Sequence, residues 1–271
     1  MWGVLIGLAL AGGLLGWYFY LQARRDTVRL EEEKLQLNQE KQIVLEFMHN
    51  LAEAIGEGVT REELFRRVVH AAVLSTGAMS AAVFERTGMD ILQGRASEGL
   101  FPPQKPIPEA VREQLTTRAK FLEQVLRAET LRFGEGVIGA VARSGQGVLI
   151  GDGMNDPRLV RHDDPALRLN SLIAAPMTFR DRLMGVLAVA NPADGMTFTE
   201  TDFSLVQSLA EQAALAIHNL DLLALQIEKN RLDMDLELAS TIQGMLLPRQ
   251  FPQDPRLDIA AWYRPAQKVG G

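Results

Sequence analysis

The chain of 271 residues is 47% apolar and 23% charged, a globular balance that excludes an intrinsically disordered protein. Its net charge of −6 leaves no surplus of lysine and arginine to neutralise phosphates, which excludes nucleic acid as the main partner. The absence of cysteine removes disulfides, thiolate catalysis and cysteine-based zinc sites, and fits a reducing compartment.

Residues 1–23, MWGVLIGLALAGGLLGWYFYLQA, carry no charged side chain. As a helix rising about 1.5 Å per residue they would cross a hydrocarbon core of roughly 30 Å. Trp17, Tyr18 and Tyr20 stand where an interfacial aromatic belt belongs, and Arg24 and Arg25 follow at once. The expectation is a single-pass inner-membrane anchor with the C-terminal part in the cytoplasm. A signal peptide would need a basic n-region and a small-residue cleavage site, where Tyr18-Phe19-Tyr20-Leu21 stands instead.

A helical connector follows over 24–55. Leu30, Leu37, Val44 and Leu51 recur every seven residues, but the companion row holds Lys34 and Lys41 or Glu33 and Glu40. That pattern leaves a weak coiled coil and a solvated connector both open. Thr60 with Glu63 forms a capping box ahead of the stripe Phe65, Val68, Val69, Ala72 and Val73. Strands are expected at AMSAAVFE and DILQGRAS, joined across Thr87-Gly88. After the prolines at 102, 103, 106 and 108 a helix is expected over 109–128, with the polar run RAETLRF read as helix-like. GVLIGD (147–152) reads as a short strand, and SLIAAPMTF and RLMGVLAVAN form a hairpin about Arg180-Asp181. These strands are apolar on both faces, so helices should cover both sides of an antiparallel sheet in an α+β sandwich.

From Thr201 to Leu247 there is no proline and one glycine, Gly244. The row Val206, Ala210, Ala213, Ile217, Leu220, Ala224, Ile227, Arg231, Met234, Leu238, Thr241 and Met245 alternates spacings of four and three. Beyond Leu223 no domain is left in the sequence to cover that row, so a second, parallel copy is the expected partner, giving a homodimer through a coiled coil over 221–247.

The motifs give no catalytic constellation. GEGVIG (134–139) matches a dinucleotide-binding pattern letter for letter, but no buried strand precedes it and the following helix is too short for a crossover. It reads as a tight loop. Thr199 and Asp202 read as a helix cap and its first-turn acid. His49, His70, His162 and His218 lack partners at metal spacing, and His162 reads as solvated. Asp152, Asp156, Asp163 and Asp164 form an acidic loop cluster without the spaced ligands of an EF-hand.

GEGVIGAVARSGQGVLIGD, DPR at 156–158, SLIAAPMTFRDRLMGVLAVAN and FTETDFSLVQSLAEQAALAI, in that order, resemble a GAF domain, assigned here to 56–220. The resemblance implies a sensor with a central antiparallel sheet and ligand-facing loops. An apolar pocket beside Asp152 and Ser171, with Val148 and Ile150, is the expected ligand site. Cyclic-nucleotide members carry an Asn-Lys-Phe-Asp-Glu signature; this chain has Asn191, Phe198 and Asp202 but Pro192 and Phe203 in the other two places.

The segment LELASTIQGMLLPRQFPQDPRLDIAAWYRPAQKVGG resembles the start of the metal-dependent serine/threonine phosphatases related to stage II sporulation protein E, over 248–271. That resemblance implies a catalytic domain with Mn or Mg beyond Gly271 and a phosphoprotein substrate, while this chain itself carries no cofactor. Arg231, Gln243, Leu246, Leu247 and Pro248 would then form the relay and hinge. A purely dimerising or small-molecule-receptor GAF module attached to a different output domain is the alternative.

Overall fold

Why the apolar stretches near residues 80 and 185 become central strands follows from their sequence: alanine, valine and leucine on both faces leave no side able to meet water. The structure, a computed structural model, describes residues 41–106 and 118–246, with single residues 17, 22, 24, 31, 34, 35, 38, 39 and 256. Six strands form one antiparallel sheet in the order β3-β2-β1-β6-β5-β4. They are β1 (Ala78–Arg86), β2 (Ile91–Glu98), β3 (Thr130–Arg132), β4 (Val148–Ile150), β5 (Leu172–Phe179) and β6 (Arg182–Pro192). The β5–β6 hairpin pairs Phe179 with Arg182, and the two-residue turn is closed by Arg180 at φ 53°, as a primed turn requires.

The helices are α1 (41–56), α2 (Arg61–Thr76), α3 (Arg118–Ala128), α4 (Gly136–Ser144) and α5 (Glu200–Leu246). Thr60 caps α2 by accepting from the Glu63 amide at 3.3 Å, and Gly77 ends it in a left-handed conformation. The reciprocal half of the expected capping box is missing, because the Glu63 carboxylate instead accepts from Arg66 at 2.9 Å. On α1 the buried stripe is Phe47, Leu51 and Ala54, at helical spacing.

One face of the sheet, with Phe84, Leu92 and Val186, shares a core with Leu126 of α3 and Ile138 and Val141 of α4. On the other side α2 lies against β1, β2 and β6. The first turns of α5 bury Leu205, Val206, Leu209, Ala210 and Ala213. Helices on both faces of an antiparallel sheet make the expected α+β sandwich.

The run RAETLRF departs from its helix-like reading. Leu131 is 1% exposed and pairs with Leu92, so one buried apolar side chain draws polar neighbours into an edge strand. On the next strand, α3 presses its backbone onto β2: a Cβ at Gly94 would sit 2.1 Å from the Leu126 carbonyl oxygen. Gly94→Ala must therefore push α3 away from the sheet, with an expected loss of about 3 kcal/mol in a urea denaturation midpoint series. An unchanged midpoint would mean that α3 packs elsewhere in solution.

The expected membrane span over 1–23 lies outside the described residues apart from Trp17 and Gln22. Among the described residues no helix is long and apolar enough to cross a membrane. Leu247 and Pro248 of the expected hinge, and the phosphatase-like stretch 248–271 apart from Arg256, also lie outside them.

Candidate functional site

The sequence between β4 and β5 is rich in Asp, Asn, Arg and Pro, residues that bond their own backbone and resist both helix and strand. The result is an irregular loop over 151–170 with an internal scaffold. Its neck is closed by the Gly153 amide donating to the Asn170 carbonyl at 2.8 Å. Asp156 accepts from Arg158 at 3.0 and 2.6 Å, and this guanidinium contact holds its carboxyl below the usual range. Asp164 accepts from the Ala166 amide at 3.0 Å and starts the short 3-10 turn Pro165–Leu167.

Within this loop lies a cavity of about 340 Å³. Leu159 and Leu169 supply buried apolar walls. Arg161, His162, Asp163 and Arg168 supply the polar lining. Arg161 is tied to the Met154 carbonyl at 3.1 Å. His162 Nε2 stands 2.9 Å from the Pro103 carbonyl; a carbonyl only accepts, so Nε2 carries the proton and donates. Among the described residues neither the Arg168 guanidinium nor the Asp163 carboxylate makes a hydrogen bond. A small apolar-walled cavity with one available cation and one available anion suits a small polar molecule.

None of the pocket candidates named from the sequence, Val148, Ile150, Asp152 and Ser171, lines this cavity. Ile150 belongs to the core and Val148 packs against it. Ser171 is fully buried, and its hydroxyl donates to the Ile150 carbonyl at 3.0 Å while accepting from the Phe198 amide at 3.1 Å. Asp152 accepts from Asn155 at 2.7 Å. Their polar atoms thus serve the fold around the cavity. The lining residues His162 and Arg168 were hidden in a stretch that reads as solvated loop. His162 is in fact half-buried, because the Pro103 carbonyl reaches it from 59 residues away. The acidic cluster does not converge: three of its members are engaged separately, and among the described residues no three His, Asp or Glu side chains could hold a metal ion.

The signature-like residues also have local partners. Thr199 and Asp202 cap α5 reciprocally, the Thr199 amide and hydroxyl each donating to Asp202 at 2.8 Å, as their spacing predicts. Asn191, at φ 56°, accepts from the amides of Asn170 and Ser171 at 2.8 and 3.2 Å and donates to the Arg168 carbonyl at 2.7 Å. GEGVIG is a tight turn only at Gly134-Glu135 and its last four residues open α4 directly after β3, with Gly134 and Gly136 at φ 89° and 60° and the Gly134 amide donating to the Gly139 carbonyl at 2.6 Å. On α5, Arg231 and Leu246 are exposed and Gln243 is half-buried.

The family model for the GAF domain matches residues 60–217, more than half of the chain. Solved structures with this fold include the GAF domain of a phosphoenolpyruvate-protein phosphotransferase from Coxiella burnetii. It is 17% identical, with 67% of this chain and 96% of that chain covered and a TM-score of 0.50. The corresponding Acinetobacter domain is 18% identical over 67% and 96%, with a TM-score of 0.49. A GAF domain/HD domain protein from Geobacter sulfurreducens is 20% identical over 59% and 94%, with a TM-score of 0.45.

Proposed function

Because the chain belongs to the GAF-domain family, we propose that its sensory domain controls an attached metal-dependent serine/threonine phosphatase through a paired C-terminal helix. A small polar ligand in the loop cavity over 153–169 is the input, and α5 is the output. The observation that carries this reading is the apolar row past the domain. Ile227, Met234, Leu238 and Met245 are 61–71% exposed in the single chain, at the spacing of a helix–helix seam. A second copy is the occupant best matched by this row.

Charge favours a parallel pair. In register, Leu223 faces Glu228 of the second helix, Asn230 faces Asp235, and Glu237 faces Ile242, so no like charges meet at the positions flanking the seam, and Arg231 alone meets its own copy within it. An antiparallel pair centred between Arg231 and Met234 would set Glu228 against Asp235 and repel. Arg231 inside the seam holds the pairing weak enough to respond to the domain, and Leu246, Leu247 and Pro248 form the hinge to the output. The uncharged stretch over 1–23 followed by Arg24 and Arg25 supports anchoring at the inner membrane, with phosphoprotein substrates on the cytoplasmic side. The Mn or Mg ions of such a phosphatase would belong to the attached catalytic domain, and the role proposed for this chain is regulatory.

The absence of native cysteine makes the test direct. Leu238→Cys in the full chain is expected to form a disulfide-linked dimer under mild oxidation, and Lys229→Cys on the outer face is not. Adding Arg231→Leu should raise the dimer fraction at a given concentration about tenfold. Equal cross-linking at both positions, or none at Leu238, would remove the paired helix.

A further inference from the structure

Among the described residues β3 is an edge of the sheet, and its backbone alternates regularly. The Glu129 carbonyl accepts from the Gly94 amide and the Phe133 amide donates to Asp90, while Leu131 pairs with Leu92. Residues 129, 131 and 133 therefore face β2, and Thr130 and Arg132 turn their backbone groups outward. Outward-facing groups on an edge strand are a template for another strand.

Here side chains occupy two of them, the Thr130 carbonyl and the Arg132 amide. Lys105 Nζ donates to the Thr130 carbonyl at 2.6 Å. The Arg132 amide donates to Glu135 Oε2 at 2.8 Å, and the Arg132 carbonyl accepts from the Glu135 amide at 2.9 Å. Lys105 and Glu135 then pair with each other at 3.1 Å, both more than 40% exposed. At the Thr130 carbonyl and the Arg132 amide the clasp reaches the same groups an added strand would use, yet there it is held by two long solvated side chains.

Beside the clasp runs a groove of about 730 Å³, lined by Lys105, Thr130, Arg132, Phe133, Glu135 and Arg143 among others. Three cations to one carboxylate is the reverse of the chain's overall acidity, net −6. We propose that this edge is a strand-acceptor groove for an extended protein segment carrying acidic side chains, kept closed in the free protein by the Lys105–Glu135 clasp. The incoming backbone replaces Lys105 at the Thr130 carbonyl and the Glu135 carboxylate at the Arg132 amide, and its carboxylates meet Arg132 and the released Lys105. A second copy of β3 is disfavoured as the occupant, because it would bring the same surplus of cations.

The experiment uses the full chain and a labelled peptide of about nine alternating valine and glutamate residues, with a valine–lysine peptide as control. Fluorescence anisotropy is expected to show binding of the glutamate peptide alone. Glu135→Ala and the milder Glu135→Gln should tighten it about fivefold by opening the clasp, and Arg132→Glu should weaken it about tenfold. Hydrogen exchange should slow at the Thr130 amide in the complex. Equal binding of the two peptides, protection elsewhere, or self-association of the Glu135 variants in place of peptide binding would each overturn the proposal.

Discussion

Glu129→Gln will flatten the loss of stability that the unmodified chain shows as the pH is raised from about 5 to about 9. Glu129 is 6% exposed, and neither carboxylate oxygen makes a hydrogen bond. Burial is the main cause that pushes its pKa from the ordinary 4.5 up to about 7. The Gln104 amide, the Lys105 charge and the Lys105 amide lie close enough to pull it back, and the Glu135 carboxylate pushes it further up. Because the folded value lies above the unfolded one, the native state holds its proton more tightly. The resulting stabilisation is complete below about pH 4.5 and is lost as the pH rises through about 7. A difference of this size corresponds to about 3 kcal/mol over the whole window. Glutamine keeps the shape and never ionises, so its urea midpoint should vary little across the window and exceed that of the unmodified chain at the alkaline end. Parallel pH profiles for the two proteins would mean that Glu129 finds a partner when it ionises.

Nothing in the sequence marks Glu129, which is one glutamate in a polar run; its burial depends on α3, β3 and the prolines near 102 arriving together. The elements that were legible are those whose signal is local. Thr60 with Glu63, Thr199 with Asp202 and the Arg180-Asp181 turn each specify a boundary through contacts within four residues. The central strands were legible because their apolar residues leave no wet face. What escaped is non-local. β3 forms because Leu131 meets Leu92, and the clasp joins Lys105 to a residue thirty positions on. Ser171 shows the same limit at the candidate site. A small polar residue beside an apolar strand looks like a ligand contact in sequence, and in the fold its hydroxyl ties Ile150 to Phe198. The lining of the loop cavity was not legible, since His162 and Arg168 are placed by contacts with Pro103 and Asn191.

Asn191→Ala is expected to lower stability by about 3 kcal/mol and to loosen the cavity before the rest of the domain. The side chain makes three hydrogen bonds to one short stretch, at Arg168, Asn170 and Ser171. Alanine leaves the Ser171 amide without its acceptor beside a fully buried residue, at a cost of about 1–3 kcal/mol for that group alone. The backbone adds to the loss, since φ 56° is tolerated by asparagine and disfavoured for alanine. Asn191→Gly separates the two contributions: it relieves the dihedral strain and keeps the missing bonds, so it should lie about 1 kcal/mol above the alanine variant. Because the carbonyl of Arg168 is one of the three partners, hydrogen exchange over 160–170 should quicken in both variants while β1 and β6 stay protected. The resemblance to cyclic-nucleotide members offers the competing account, in which this asparagine serves a bound nucleotide. On that account Asn191→Gly would keep the urea midpoint and the exchange pattern of the unmodified chain, and only ligand affinity would fall. The hydrogen bonds favour the first outcome: both ends of the amide are engaged with the loop, so Asn191 shapes the cavity by holding its closing segment against β6.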